Sequence, residues 1–278
     1  MTDKLSPPQD DYLDVFKSCI SNLSHPAKQK FIDNESYFLN EGKEFDKKIA
    51  AKELYKTQKI IAVKNISKKE MTYLYTGKLS KLGQPARDFY DRWRSIAPYG
   101  TCPLCGVRTV STLDHYLPKQ EFPVFSIYPL NLIPACKDCN IDKRSEVATS
   151  HEKETIHPYF DTLEDDYFLH SQIIQTRPAS FIFEINPPAN WPNDIQTRLK
   201  NHFIVFNLNQ LYVTLAAQEL SNIRLRLEKL SKISTEQVKA YLKDELETRV
   251  AAKKNSWQTA IYSAMYSSDW FHSNGFLF

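Results

Sequence analysis

The chain has 278 residues and a formal net charge of +3, with 42% hydrophobic and 25% charged residues. This composition excludes a disordered or low-complexity chain, and the length allows two or three small structural units. The charge is unevenly distributed, because residues 43–94 contain 14 Lys and Arg against 6 Asp and Glu, a local charge of +8. Such a block either attracts phosphates or forms a solvated helix face, and both interpretations stay open.

Neither a secretory signal nor a membrane span is expected. The amino terminus lacks a basic segment followed by an apolar run. The longest stretch without Asp, Glu, Lys or Arg, residues 201–218, carries Asn207, Asn209 and Gln210 in its middle. The sequence therefore predicts a soluble, cytoplasmic protein that does not contact a membrane.

The predicted secondary structure is mostly helical. The apolar periodicity predicts, in chain order, one or two short helices within 10–40, helices over 43–64, 68–82 and 85–97, a hairpin of 168–176 with 181–185, and helices over 194–206, 216–230, 234–250 and 257–265. Asn193 and Ser234 are expected to cap the helices that follow them.

Two C-x-x-C pairs, Cys102/Cys105 and Cys136/Cys139, enclose 30 residues near the middle of the chain. Each pair presents two thiolates from one turn, so the pattern predicts a tetrahedral zinc site with four sulfur ligands. Four thiolates leave no open coordination position, which makes this zinc structural. The usual gap between such pairs is about 15–20 residues, and the longer gap here is where we expect the chemistry.

The residues in and after this gap resemble the HNH endonuclease family. Asp114 and His115 lie in LDHYLPK, Asn131 in PLNLIPAC, and Asn140 and Lys143 in CNIDK, and together these motifs cover about 60 of the 278 residues. The resemblance implies a ββα-metal fold that cuts phosphodiester bonds with one divalent ion. The expected fold is mainly α, with a helical region 1–97, a small ββα-metal core at 98–161 held by the zinc site, and a short β segment plus helical bundle at 162–278.

The resemblance also implies a role for each motif residue. His115 would be the general base, with an unperturbed pKa near 6.5 that suits proton transfer at neutral pH. Asp114 and Asn140 would hold the catalytic Mg²⁺ or Mn²⁺ through oxygen atoms. Asn131 would brace the loop and orient His115 by hydrogen bonding. Asn140 stands where the family name has its last histidine.

Three further residues are weaker candidates. His157, in the segment HPYFD, either adds an imidazole to the metal or phosphate or is a packing residue. Lys119 and Lys143 would contact phosphate or the charge of the transition state. The alternative for Lys143 is a solvated helix end.

The sequence thus predicts an HNH endonuclease that cuts DNA in anti-phage defence or restriction. The flanking helices resemble those of larger HNH proteins that act with Septu or retron ATPases, which implies an ATPase partner beside DNA. Two alternatives stay open: a non-catalytic zinc-knuckle module that binds nucleic acid or protein, and an HNH nuclease directed at RNA.

Overall fold

A computed structural model describes residues 4–143, 145–163 and 165–277 of the chain. The chain is mainly helical with a few short antiparallel hairpins, as predicted. It divides into two compact units, of which one ends at Thr162 and the other begins at Leu163. The predicted regions 1–97 and 98–161 both lie within the first unit.

The first unit combines helices with two small hairpins around an aromatic core. Its elements are α1 Tyr12–Ile20, α2 Ala27–Ile32, α3 Glu35–Ala50, β1 Ala62–Val63, β2 Ile66–Ser67, α4 Lys68–Tyr73, α5 Arg87–Arg94, β3 Thr112–His115, β4 Leu132–Ala135 and α6 Lys137–Lys143. α4 continues into a π-helix, Leu74–Leu79. The rings of Phe16, Phe31 and Phe38 contact one another in the core.

Two predicted helices are shorter than their sequence pattern. The helical run over 43–64 ends at Ala50, and Lys52 takes a left-handed backbone conformation with φ 58°. The β-branched residues Ile60, Ile61 and Val63 favour extended backbone, and the chain forms β1 at Ala62–Val63. α5 covers Arg87–Arg94 of the predicted 85–97.

The hairpin β3–β4 and the helix α6 follow one another in the stretch that holds the sequence motifs. The strands are antiparallel, with Thr112 opposite Ala135 and His115 opposite Leu132. α6 begins two residues after β4 ends. The loop between the strands is long and largely buried, which is uncommon for a connection and is typical of a functional segment.

The second unit is a hairpin accompanied by four α-helices and a π-helix, Phe271–Gly275, in the part of the chain described. Its elements are β5 Leu169–Ile174, β6 Ser180–Ile185, α7 Asn193–Val205, α8 Leu208–Ser231, α9 Thr235–Ala252 and α10 Trp257–Tyr266. The predicted hairpin is present, with Leu169 opposite Ile185. Ser234 caps α9 by accepting a hydrogen bond from the Gln237 N–H. Asn193, expected to be the cap of α7, is instead its first helical residue, and Pro192 takes the N-cap position.

Within the described residues, no helix combines the length and apolar character that crossing a membrane would require.

Candidate metal centre and adjoining polar site

The four paired cysteines form one buried cluster. Their sulfur atoms all lie within 4.8 Å of one another. A tetrahedron of thiolates around zinc, with bonds of about 2.3 Å, has sulfur atoms about 3.8 Å apart, so the cluster is compact enough to hold such an ion. The predicted convergence of the two C-x-x-C pairs is confirmed, and the cluster could bind a structural metal such as zinc. The fifth cysteine, Cys19, is buried elsewhere in the core of this unit.

The backbone of each cysteine turn points hydrogen-bond donors at sulfur. The Arg108 N–H donates to Cys105 Sγ and the Cys139 N–H donates to Cys136 Sγ, both at 3.4 Å. Such bonds stabilise negative charge on a sulfur atom. An ion pair of 2.9 Å between Arg108 and Asp138 joins the two turns directly. The cluster therefore connects the chain before β3 to the beginning of α6.

His115 lies at the end of β3 and is only 4% exposed. Its Nε2 lies 2.9 Å from the carbonyl oxygen of Ser126. A carbonyl only accepts hydrogen bonds, so Nε2 carries the proton and the lone pair of the neutral ring is on Nδ1. No described residue is hydrogen-bonded to Nδ1. The imidazole is thus held by one nitrogen and offers the other as a proton acceptor.

Burial, together with a smaller effect of the positive charge of Lys119, lowers the pKa of His115 to about 3. The sequence-based expectation of an ordinary histidine pKa near 6.5 therefore does not describe this environment. At neutral pH the ring is uncharged, which is the form that can accept a proton. An anionic phosphate beside the ring would raise this pKa by opposite charge.

Asp114 and Lys143 form a buried ion pair next to His115. Lys143 Nζ lies 3.3 Å from Asp114 Oδ2, and it also donates hydrogen bonds to the carbonyl oxygens of His115 and Tyr116. Burial raises the pKa of Asp114 and lowers that of Lys143, while the attraction between the two opposes both shifts. Lys143 thus makes its contacts with the protein and is not the solvated helix end considered from the sequence.

Asn131 is fully buried and closes the long loop onto itself. Its Oδ1 accepts from the Leu117 N–H at 2.7 Å, and its Nδ2 donates to the carbonyl oxygens of Leu117 and Phe125 at 3.1 and 3.2 Å. It makes no direct hydrogen bond to His115 among the described contacts. It fixes instead the carbonyl of Phe125, the residue before Ser126, and thereby the segment that holds the imidazole.

Asn140 and Lys119 come from two different segments, α6 and the long loop between β3 and β4. Asn140 is half-buried on α6, three residues before Lys143, so the two side chains share one face of the helix. Lys143, on this face, contacts the end of β3. Lys119 is half-buried in the loop, and burial lowers its pKa while the charge of Asp114 opposes this. The site therefore carries two ammonium groups and one carboxylate around a neutral imidazole.

Two residues that the motif pattern does not include contribute to the site. Tyr75 contacts His115 with its ring, at 4.4 Å between centroids, and Ser126 holds Nε2 of the same histidine through its carbonyl. The apolar pattern of 68–82 indicated only a core position for Tyr75. A backbone carbonyl such as that of Ser126 leaves no signal in the residue type at all.

His157 is buried close to this region. Its ring centroid lies 4.2 Å from that of Tyr116, and its Nδ1 accepts from the Tyr159 N–H at 3.3 Å. Its backbone N–H donates to Asp161 Oδ2 at 2.6 Å. Within the described contacts the ring is packed among aromatic residues, as the alternative interpretation expects.

Several charges of the basic block are paired within the protein. Arg87 and Arg92 on α5 pair with Asp91 and Asp10, and Lys59 pairs with Glu121 in the long loop. Pairs of this kind on a protein surface contribute little to stability. These pairs reduce the positive potential around residues 43–94. They favour the interpretation that this block forms a solvated helix face, to which α5 belongs.

Comparison with known proteins does not identify the site. No protein-family model and no solved structure matches the chain. Among curated proteins, Protein ea31 of Escherichia phage lambda is 27% identical over 234 residues, which cover 79% of this chain and 78% of that protein. The name of this similar protein states no activity.

Proposed function

We propose that the protein is a metal-dependent endonuclease of the HNH type that hydrolyses phosphodiester bonds in DNA. The observation that carries this proposal is the environment of His115. Its imidazole is held in one tautomer by Ser126, with Nδ1 available as a base, and the positive charge of Lys119 acts on it. The order of β3, β4 and α6 supports the same assignment.

Asp114 and Asn140 would hold the catalytic ion of the proposed nuclease. Asp114 offers carboxylate oxygens and Asn140 an amide oxygen, which are ligands that Mg²⁺ and Mn²⁺ prefer. When bound, such an ion supplies positive charge to the phosphate and the leaving oxygen. Lys143 competes for one carboxylate oxygen of Asp114, so the proposal needs the metal to bind beside this ion pair or to displace it.

The side chains of this site have separate roles in the proposed hydrolysis. His115 Nδ1 accepts the proton of the attacking water and so acts as the general base. The uncharged imidazole present at neutral pH is the form that can do this. Lys119 compensates negative charge on the phosphate. Asn131 holds the loop between β3 and β4 through the Phe125 carbonyl, so that the carbonyl of Ser126 stays in hydrogen-bonding position to His115 Nε2. The cysteine cluster would hold zinc and fix the two ends of this arrangement.

Cleavage of supercoiled plasmid DNA with Mg²⁺, with Mn²⁺ and with chelator tests the proposal. The wild-type protein is expected to cut only with metal, and His115→Ala to lower the rate at least about 100-fold. His115→Gln serves as a second variant, because its amide can still donate to the Ser126 carbonyl but cannot act as a base. His170→Ala, in the second unit, is the matched control and should cut normally.

Two results would contradict the proposal. If wild-type protein with bound zinc and a cooperative melting transition cuts no DNA under either ion, the nuclease assignment is wrong. If both His115 variants cut as fast as His170→Ala, another group is the base. Labelled DNA and RNA oligonucleotides of equal sequence, compared in one assay, decide between the two substrates.

The buried pair of Asp114 and Lys143 favours one other function, a zinc-knuckle module that binds nucleic acid without cutting it. In that case Lys143 occupies the carboxylate permanently, and fluorescence anisotropy would show DNA binding that is independent of Mg²⁺. Loss of cleavage in Asp114→Asn together with unchanged anisotropy would instead support the nuclease.

An ATPase partner of the anti-phage type remains part of the proposal. Affinity purification of the tagged chain from its native host should then recover an ATPase in stoichiometric amount, whereas recovery of the chain alone would contradict this partner.

A further inference from the structure

Tyr75 reaches the candidate site from a separate part of the first unit. It belongs to the π-helix after α4, and its hydroxyl group donates a 2.8 Å hydrogen bond to the carbonyl oxygen of Leu113, which is 38 residues later in β3. The wider turn of a π-helix is frequent at functional sites. Ser80 satisfies the Tyr75 carbonyl through its N–H and its hydroxyl group, at 2.8 and 3.0 Å. The residue is therefore anchored at both its backbone and its hydroxyl.

The ring of Tyr75 contacts two groups of the site at once. Its edge-on contact with His115 has an interplanar angle of 69° and a centroid distance of 4.4 Å. Lys119 Nζ lies 5.2 Å from the centroid of the same ring, within the range of a cation–π interaction. Tyr75 is only 7% exposed, so the ring has little freedom to move.

We propose that Tyr75 is a positioning residue that fixes the separation between the His115 imidazole and the Lys119 ammonium group. The inference rests on the proposed nuclease function and adds a residue outside the sequence motif. A lysine side chain is flexible, and a rigid ring bonded to β3 restricts it to one side of the imidazole. The two groups that would act on the water and on the phosphate are thus aligned by a third side chain.

Kinetics of Tyr75 variants test this role. Tyr75→Phe keeps the ring and should lower kcat less than about tenfold, because it loses one hydrogen bond. Tyr75→Leu removes the ring and should lower kcat about 100-fold with a smaller change in KM, as misplacement of reacting groups does. In combination with Lys119→Ala the losses should not add, because both changes remove the same alignment.

Two control variants separate positioning from stability. Tyr159→Phe removes an equal hydrogen bond to the same hairpin, since the Tyr159 hydroxyl donates to the Leu132 carbonyl at 2.8 Å. Phe38→Leu creates a cavity in the core of the same unit, among rings that do not touch the site. Both should melt at lower temperature and keep kcat within about threefold of wild type.

A measurement on the protein without substrate keeps this inference separate from the nuclease proposal. NMR relaxation should show the His115 ring and the Lys119 side chain as rigid in wild type and Tyr75→Phe, and as mobile in Tyr75→Leu. The Nε2–H tautomer, which the Ser126 carbonyl selects, should be the same in all three proteins. If wild type does not cut DNA, these spectra still decide whether Tyr75 fixes the two side chains. Unchanged rigidity in Tyr75→Leu would overturn the inference, as would a kcat for this variant equal to that of Phe38→Leu or full additivity with Lys119→Ala.

Discussion

Lys143 and Asp114 approach each other to 3.3 Å inside the first unit, and the side chain of each is only 9% exposed. The lysine comes from the last turn of α6 and the aspartate from β3. The same ammonium group also binds two carbonyl oxygens at the end of that strand. This pair therefore attaches the helix to the hairpin at the point where the candidate chemistry lies.

Breaking this pair should be costly. Lys143→Met leaves the Asp114 carboxylate buried without its cation, and we expect the free energy of unfolding to fall by about 3 kcal/mol in urea denaturation at pH 7. Burial raises the pKa of Asp114, and loss of the lysine removes the attraction that opposes this shift. The loss in free energy of unfolding is therefore full at high pH, where the carboxylate is charged, and shrinks as falling pH protonates it.

The double variant Lys143→Met with Asp114→Asn should regain most of that loss. Lys243→Met, from an exposed pair with Glu247 on α9, is the matched control and should change stability by less than about 0.5 kcal/mol. Equal effects of the two lysine substitutions would show that the buried pair is not formed.

Metal content is predicted to depend on the cluster as a whole. Cys102→Ser should release one equivalent of zinc per chain, measured by elemental analysis, and lower the melting temperature, because binding of a structural metal stabilises the folded state. Cys19→Ala, a buried cysteine outside the cluster, should retain the metal. Purified wild-type protein without any bound metal would contradict the prediction.

Asn131→Ala should destabilise the first unit through the loop. The substitution removes three hydrogen bonds and leaves the buried Leu117 and Phe125 groups without partners, at a cost of about 2–3 kcal/mol. Gln172→Ala, which removes an exposed contact with Glu184, is the control and should be nearly neutral. Hydrogen exchange should accelerate at the Leu117 amide first, and unchanged protection there would count against this role of Asn131.

Acid stability should depend in part on Glu70. Its carboxylate accepts hydrogen bonds from the backbone and hydroxyl of Ser67 and pairs with Lys30, which lowers its pKa from 4.5 to about 2. A carboxyl group whose pKa is lower in the folded than in the unfolded state stabilises the folded protein at any pH above the unfolded-state pKa. This contribution is lost as the pH falls from about 4.5 to about 2.

Glu70→Gln should therefore flatten the dependence of the melting temperature on pH within that window and lower stability at pH 7. Glu35→Gln, in the first turn of α3, where the preceding Asn34 makes no side-chain cap, is the comparison. If both variants lose stability in parallel as pH falls, the hydrogen bonds between Glu70 and Ser67 do not carry the effect.

Local sequence signals predicted those features that depend on local chemistry. Within each C-x-x-C pair the two sulfur atoms lie close together because one turn carries both. The hairpin β5–β6 follows from alternation at 181–185, and the Ser234 cap from its own side chain. These patterns need no knowledge of distant contacts.

The features that the sequence did not predict depend on contacts over long separations. In the sequence Tyr75 cannot be distinguished from other core aromatic residues. Its role depends on the contact of its ring with His115, which lies 40 positions later. Lys143 looks like a surface lysine until α6 packs against β3. The lowered pKa of His115 likewise arises from burial that the motif does not encode.

The cysteine cluster brings together the two ends of the 30 residues between Cys105 and Cys136. A metal ion held by all four sulfur atoms would therefore join these ends through bonds that do not pass along the segment itself. A protease that cut the backbone inside the segment would then leave two pieces that the ion still links. The integrity of the site would in that case depend on the metal as well as on the peptide chain.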